Sequence, residues 1–219
     1  MKCTGKRFGT HAKSFTLDYF TMNKLAVDIA LIPPLDIIDI AMKGNQTIPP
    51  NSGLVKLGKT SCVPHISLCM GVAKKHNLEL IQEIVLDIAR NSKPLALTLT
   101  KLDFLRKSTG EIIASEFSVD NTPEIQKLHE TCMSRFVPIL SQDAAEEMFW
   151  TRPDSLTVGY VRGYRDKKSF EPHMTLGRGE ARIDLDFPIM FSAETLALCH
   201  IGKAGSCGTI LFSTKLGNS

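Results

Sequence analysis

Pro64-His65-Ile66-Ser67-Leu68 and Pro172-His173-Met174-Thr175-Leu176 carry one pattern twice: proline, histidine, an apolar residue, a hydroxyl, leucine. The two copies lie about half of the 219-residue chain apart, the separation expected of a duplicated unit folded back on itself. Sixteen serines and seventeen threonines place such a hydroxyl at ~15 % of positions, so six histidines yield about 0.9 His-x-Ser/Thr matches by accident. Three occur, the third being His129-Glu130-Thr131. Demanding apolar residues at the second and fourth positions removes His129 and lowers the expectation to ~0.17, against two survivors.

Geometry separates the three further. In a strand, residues two apart share a face, so His65 stands beside Ser67 and His173 beside Thr175. In a helix the same spacing turns the side chains about 200° apart, which disqualifies His129 and Thr131 as a pair. His129 falls on a helical apolar stripe and reads as a packed core histidine. The structural alternative for either strand pair is a histidine and a hydroxyl satisfying each other on a half-buried face. Its repetition half a chain away favours a joint site.

Working outward, Leu25 to Ile32 reads as a strand ended by Pro33-Pro34. Leu35, Ile38, Ala41 and Met42 recur at helical spacing up to Gly44, and 45–53 reads as a loop. A second strand is expected over Cys62 to Val72. Asn77 is placed to cap a helix with the stripe Ile81, Ile84, Val85 and Ile88. Leu95, Leu97 and Leu99 alternate as a strand, and Ser108-Thr109-Gly110 turns the chain into another over Glu111 to Val119. Thr122-Pro123 starts a helix bearing Ile125, Leu128, Cys132, Phe136 and Ile139. Residues 141–168 read as a long connection with a short helical piece at Asp143 to Phe149. Strands at Glu171 to Gly177, Thr195 to Ile201 and Thr209 to Lys215 close the chain. Seven strands and three main helices in mixed order make an α+β pattern. Residues 1–21 lack periodicity and read as a flexible extension, with 22–219 as one folded domain.

The apolar fraction of 43 % and charged fraction of 22 % suit a soluble globular chain. No apolar run reaches the ~18 residues of a membrane span; the longest, Leu25 to Leu35, is broken by Asp28 and by Pro33-Pro34. The net charge of +3 resides entirely in residues 1–21. A neutral body argues against long-duplex DNA as a partner and leaves room for an RNA end or a small nucleotide. No cysteine pair has zinc-knuckle spacing, and Cys62-x-x-His65 lacks a second half. Six cysteines in a chain of this length read as buried thiols of a cytoplasmic protein.

Two imidazoles facing one gap hold one proton between them near neutral pH. One takes a proton from water and the other delivers one to a leaving oxygen. The two hydroxyls donate to an anion between the rings. The set suits displacement at a phosphodiester and requires no metal or other cofactor. Lysines 56, 59, 74 and 75 with no intervening acid, and the basic stretch Tyr160 to Arg182, fit an anionic substrate. Tyr160, Tyr164 and Phe170 are candidates for stacking on bases.

The paired His-x-Ser/Thr strands resemble those of the two-histidine phosphoesterase superfamily, which includes the RNA 2′,3′-cyclic phosphodiesterases also called 2′-5′ RNA ligases. The resemblance covers roughly residues 24–216. It implies a bilobed α+β fold with pseudo-twofold symmetry and a central cleft, with His65 and His173 as catalytic residues and Ser67 and Thr175 as phosphate ligands. Arg178 occupies the place of an arginine that follows the second motif in many members and is a candidate phosphate ligand. Ser67 stands where threonine is commoner, and Gly177 where a larger residue is. The implied activity is hydrolysis of a 2′,3′-cyclic phosphate end to a 2′-phosphate. The alternatives are a 2′-5′ oligonucleotide or ADP-ribose cyclic phosphodiesterase of the same fold, or a non-catalytic RNA- or nucleotide-binding module.

Overall fold

The computed structural model describes residues 23–50 and 55–217; the expected extension over 1–21 lies outside the described residues. Strand β1 spans Lys24–Ile32, helix α1 Leu35–Gln46, β2 Ile66–Lys74, α2 Leu78–Arg90, β3 Leu95–Arg106 and β4 Ile112–Val119. Then follow α3 over Pro123–Phe136, α4 over Ser155–Gly163, β5 over His173–Arg178, β6 over Ile189–Ala193, β7 over Thr195–Ile201 and β8 over Cys207–Lys215.

The strands form two four-stranded antiparallel sheets, ordered β2-β1-β7-β8 and β5-β4-β3-β6. Each sheet has its motif strand at one edge, and β2 and β5 approach within 8 Å at their Cα atoms. The sheets therefore meet along the edges that carry the repeated pattern. One apolar core runs through both, drawing Leu25, Val27, Ile29 and Leu31 from β1 and Leu97, Leu99 and Phe117 from β3 and β4.

Helix α2 buries Ile81, Ile84, Val85 and Ile88 against β7 and β8, as its 3.6-residue stripe requires. Asn77 sits at its N-cap position, but a 3-10 turn over Lys75–Asn77 leads into the helix and the side chain makes no capping bond. Helix α3 is capped by the Thr122 hydroxyl, which accepts from the Ile125 N–H, and Pro123 needs no partner in the first turn.

Several expectations need correction. The chain remains helical through Gly44 and Asn45 because both are buried where α1 crosses β5. A Cβ on Gly44 would come within 3.1 Å of Leu176 Cδ1, so the glycine allows a close crossing and does not end the helix. Asn45 donates from Nδ2 to the carbonyls of Leu176 (2.7 Å) and Val55 (2.9 Å), and accepts from the Leu57 N–H (3.1 Å). Helix α4 lies inside the stretch expected to be a connection. Its sequence SLTVGYVRG has poor helix propensity, and it is held by the Asp154 cap and by burial of Thr157, Val158 and Val161. Strand β6 adds to the seven strands expected and brings those among the described residues to eight. Cys199 and Cys207 are disulfide-bonded across neighbouring strands and are not free thiols. Among the described residues no helix is long and apolar enough to cross a membrane.

Candidate active site

In both motifs the apolar residues Ile66 and Leu68, and Met174 and Leu176, point into the core. Alternation then turns the histidine and hydroxyl of each copy to the other face. His65, Ser67, His173 and Thr175 all line one cleft of about 690 Å³, together with Glu116, Arg178, Tyr160 and Lys167. A repeat read one residue at a time thus becomes one site.

The leucine that ends each repeat has a structural role. In the first sheet Ala30 pairs with Ser67 and Ile29 with Cys69, so Leu68 is an extra residue in β2. In the second, Glu116 pairs with Thr175 and Ser115 with Gly177, so Leu176 is an extra residue in β5. Each motif therefore carries a β-bulge directly after its hydroxyl, a device that bends an edge strand and re-aims its side chains. Gly177 follows the second bulge at φ 150°, a backbone state that L side chains rarely adopt, which accounts for glycine there.

The imidazoles are anchored alike. His65 Nδ1–H donates to the Val63 carbonyl (2.9 Å) and His173 Nδ1–H to the Glu171 carbonyl (2.8 Å), each two residues upstream. This leaves Nε2 as the proton-exchanging nitrogen of each ring. Each Nε2 has a carboxylate nearby: Asp28 Oδ2 at 3.3 Å from His65, and Glu116 Oε2 at 3.8 Å from His173. The environments differ in depth. The side chains of His65 and Asp28 are 9 % and 1 % exposed, those of His173 and Glu116 24 % and 26 %.

Electrostatics follow from that depth. Burial works to strip the His65 proton, but the hydrogen bond and charge of Asp28, helped by the Val63 carbonyl, outweigh it and raise the His65 pKa. Burial pushes the Asp28 carboxyl up, against the pull of His65, Ser67 and the more distant His173. Ser67 Oγ donates to Asp28 Oδ2 at 2.7 Å, while the Thr175 hydroxyl has no bonded partner among the described residues.

Other expected site residues fare unevenly. Arg178 is in the cleft wall, but Nε and Nη2 are bonded to the two Asp154 oxygens at 3.1 Å each, with Thr157 Oγ1 at 3.3 Å from Nη2. Its charge is partly compensated before any phosphate arrives. Tyr164 is a core residue, 4 % exposed, and cannot take a base. Phe170 is stacked on His129, with ring centroids 4.0 Å apart, and lies outside the main cleft. Tyr160 lines the cleft with the Lys167 ammonium 3.8 Å from its ring centroid. His129 is half-buried and is not fully packed in the core: Nδ1–H donates to the Leu68 carbonyl (2.7 Å), and the ring lines a small hollow outside the main cleft. The Lys56 to Lys75 lysines are not among the cleft residues: Lys59 pairs with Asp39, and Lys74 and Lys75 border a separate hollow beside Lys24.

Asp28, Glu116 and Lys167 escaped sequence reasoning. Asp28 did leave a trace, as a single acid inside the apolar run of β1. Among the described residues no group of three or more His, Cys, Asp or Glu side chains is arranged to hold a metal ion.

Solved structures share the fold. TT0787 of Thermus thermophilus superposes with a TM-score of 0.59 at 17 % identity, covering 89 % of this chain and all of that one. E. coli LigT complexed with ATP gives 0.52 at 14 % identity, covering 90 % and 100 %. A further structure, described as a phosphoesterase, gives 0.50 at 14 % identity, covering 89 % and 99 %. At such identities the likeness is one of fold. No curated protein matches the sequence. The family model described as the 2′-5′ RNA ligase superfamily matches residues 59–196, which spans both motifs and more than half the chain. On the two motif strands, the cleft between them and that match, the chain belongs to the 2′-5′ RNA ligase superfamily.

Proposed function

We propose that the protein is a metal-independent phosphodiesterase that opens a 2′,3′-cyclic phosphate at an RNA or nucleotide end to the 2′-phosphate. The observation that carries this reading is the paired anchoring: two imidazoles on one cleft, each with Nδ1–H tied to a carbonyl and Nε2 left to exchange a proton. Water attacks phosphorus, His173 Nε2 takes the water's proton, and His65 Nε2–H passes its proton to the departing 3′ oxygen. The P–O3′ bond breaks as the new P–O bond forms, leaving a 2′-phosphate and a 3′-hydroxyl. This assignment of acid and base follows the asymmetry of the rings, since the buried carboxylate keeps His65 charged. Thr175, with its hydroxyl toward the cleft, donates to a phosphate oxygen. The ATP bound by LigT, a protein of like fold, is in line with a nucleotide ligand.

The test is turnover of 2′,3′-cyclic nucleotides by the purified protein in EDTA, with the position of the product phosphate read by NMR. Binding without turnover would favour a nucleotide-binding module. Turnover restricted to 2′-5′ oligonucleotides or to ADP-ribose cyclic phosphate would move the activity to a sister reaction.

A further inference from the structure

Asp28 is the sole buried carboxylate among the described residues, and it stands in a strand otherwise made of core. An acid in that position is costly unless its charge is met. It is met at contact distance by the first motif: one oxygen, Oδ2, accepts from Ser67 Oγ at 2.7 Å and lies 3.3 Å from His65 Nε2. Oδ1 is buried and has no partner among the described residues. Asp28 is absent from the cleft lining, so it reaches the substrate space only through His65 and Ser67. It also lies outside residues 59–196, the stretch that the family model matches.

The second half-site is built differently. Counting from the bulges, the position equivalent to Asp28 is Ala114, because Asp28 pairs with Met70 as Ala114 pairs with Arg178. The first lobe thus has an acid on its inner strand opposite methionine, and the second has an arginine on its motif strand opposite alanine. The backbone repeats and the charge does not.

We propose that Asp28 is a positioning residue of the phosphodiesterase reaction: it holds the His65 ring in its charged form for the leaving oxygen and engages the Ser67 hydroxyl, so that Thr175 is the hydroxyl that meets the phosphate. The inference rests on the function proposed above and deepens it. After His65 Nε2–H has given up its proton, Asp28 faces a neutral ring, and its negative charge favours return of a proton from solvent through the cleft. The hydroxyls of Tyr160 and Tyr164, the thiols of Cys69 and Cys132 and the His173 ring lie within electrostatic reach of Asp28. On the β7 side its cross-strand partner is Cys199, whose sulfur is in the disulfide and does not titrate. His173 is the other basic side chain among these, and it is the more distant partner.

The experiment is a titration of 15N-histidine-labelled full-length protein by NMR, with no substrate present. In the wild type the His65 ring should stay charged above the ordinary midpoint of about 6.5. In Asp28→Asn, a neutral isostere, its midpoint should fall by at least ~1 pH unit, and the alkaline limb of kcat/KM should move down with it. A wild-type midpoint at or below the ordinary value overturns the proposal without any variant, as does an unchanged midpoint in a folded Asp28→Asn protein. Shifted midpoints in a protein that turns over no cyclic phosphate would refute the reaction and leave the pairing intact. Unshifted midpoints in an active enzyme would refute the role of Asp28 alone.

Discussion

Ala30 and Glu116 hold equivalent places: each is the cross-strand partner of its motif's hydroxyl residue, Ser67 and Thr175, immediately before a bulge. Only the second is an acid, and it sits at the rim of the cleft, whereas the acid of the first lobe is two residues away and buried. Backbone symmetry and chemical asymmetry coexist in one site. The unequal roles proposed for the two histidines rest on that asymmetry.

Replacing either histidine by alanine should lower kcat by about 10²–10⁴-fold, the usual worth of a positioned acid or base. Stability should separate the two variants. His173→Ala removes a partly exposed ring and should leave Tm nearly unchanged. His65→Ala strands Asp28, at a cost of about 3 kcal/mol and roughly 6–12 °C in Tm. Equal Tm values for the two variants would contradict the Asp28–His65 pairing.

The pH–rate profile of kcat/KM for a 2′,3′-cyclic nucleotide should be bell-shaped and unaffected by EDTA. Its alkaline limb belongs to His65, whose folded-state pKa lies above the ordinary histidine value. The ring must be charged to act, so activity falls as pH rises through that raised value. The shift has the same sign for stability: its contribution is complete below the ordinary histidine range and is lost as pH rises through the folded-state value. Urea midpoints measured across that window should decline. Activity abolished by EDTA and restored by zinc would refute the metal-free mechanism.

Asn45→Ala should destabilise the protein by about 2–4 kcal/mol, read from urea unfolding. It leaves the Leu176 and Val55 carbonyls and the Leu57 N–H without their partner in buried or half-buried surroundings. Because Leu176 is the bulged residue of the second motif, kcat should fall as well under conditions where the variant is fully folded. A change in stability with unchanged kcat would show that the tether does not position β5.

Asp154→Asn should lower KM for the anionic substrate roughly three- to tenfold, equivalent to about 0.7–1.4 kcal/mol, because it removes the charge that compensates Arg178. Asparagine is as good an N-cap as aspartate, so α4 is kept. Arg178→Ala should raise KM. If neither substitution moves KM, Arg178 is a strut between β5 and α4 and does not contact phosphate.

Much was legible in the chain itself. The alternation around His65 and His173, the stripes of α2 and α3 and the Thr122-Pro123 start are local patterns, and local sterics and burial periodicity were enough to read them. Helix α4 was not legible because its glycines and β-branched residues disfavour a helix, and the packing of Val158 and Val161 overrides that preference. The Cys199–Cys207 pair escaped because its formation depends on β7 and β8 lying side by side. The stacking candidates Tyr164 and Phe170 failed for a similar cause: sequence marks an aromatic ring, and only its neighbours decide whether a face is open.

The sequence by itself determined which groups stand together, because a histidine and a hydroxyl two apart on a strand share a face whatever surrounds them. It also determined that the unit occurs twice. The tertiary structure alone decided that the two units share one cleft and that Asp28 lies behind one ring and Glu116 beside the other. Those relationships join residues from different strands, and no local periodicity encodes a distance across a sheet.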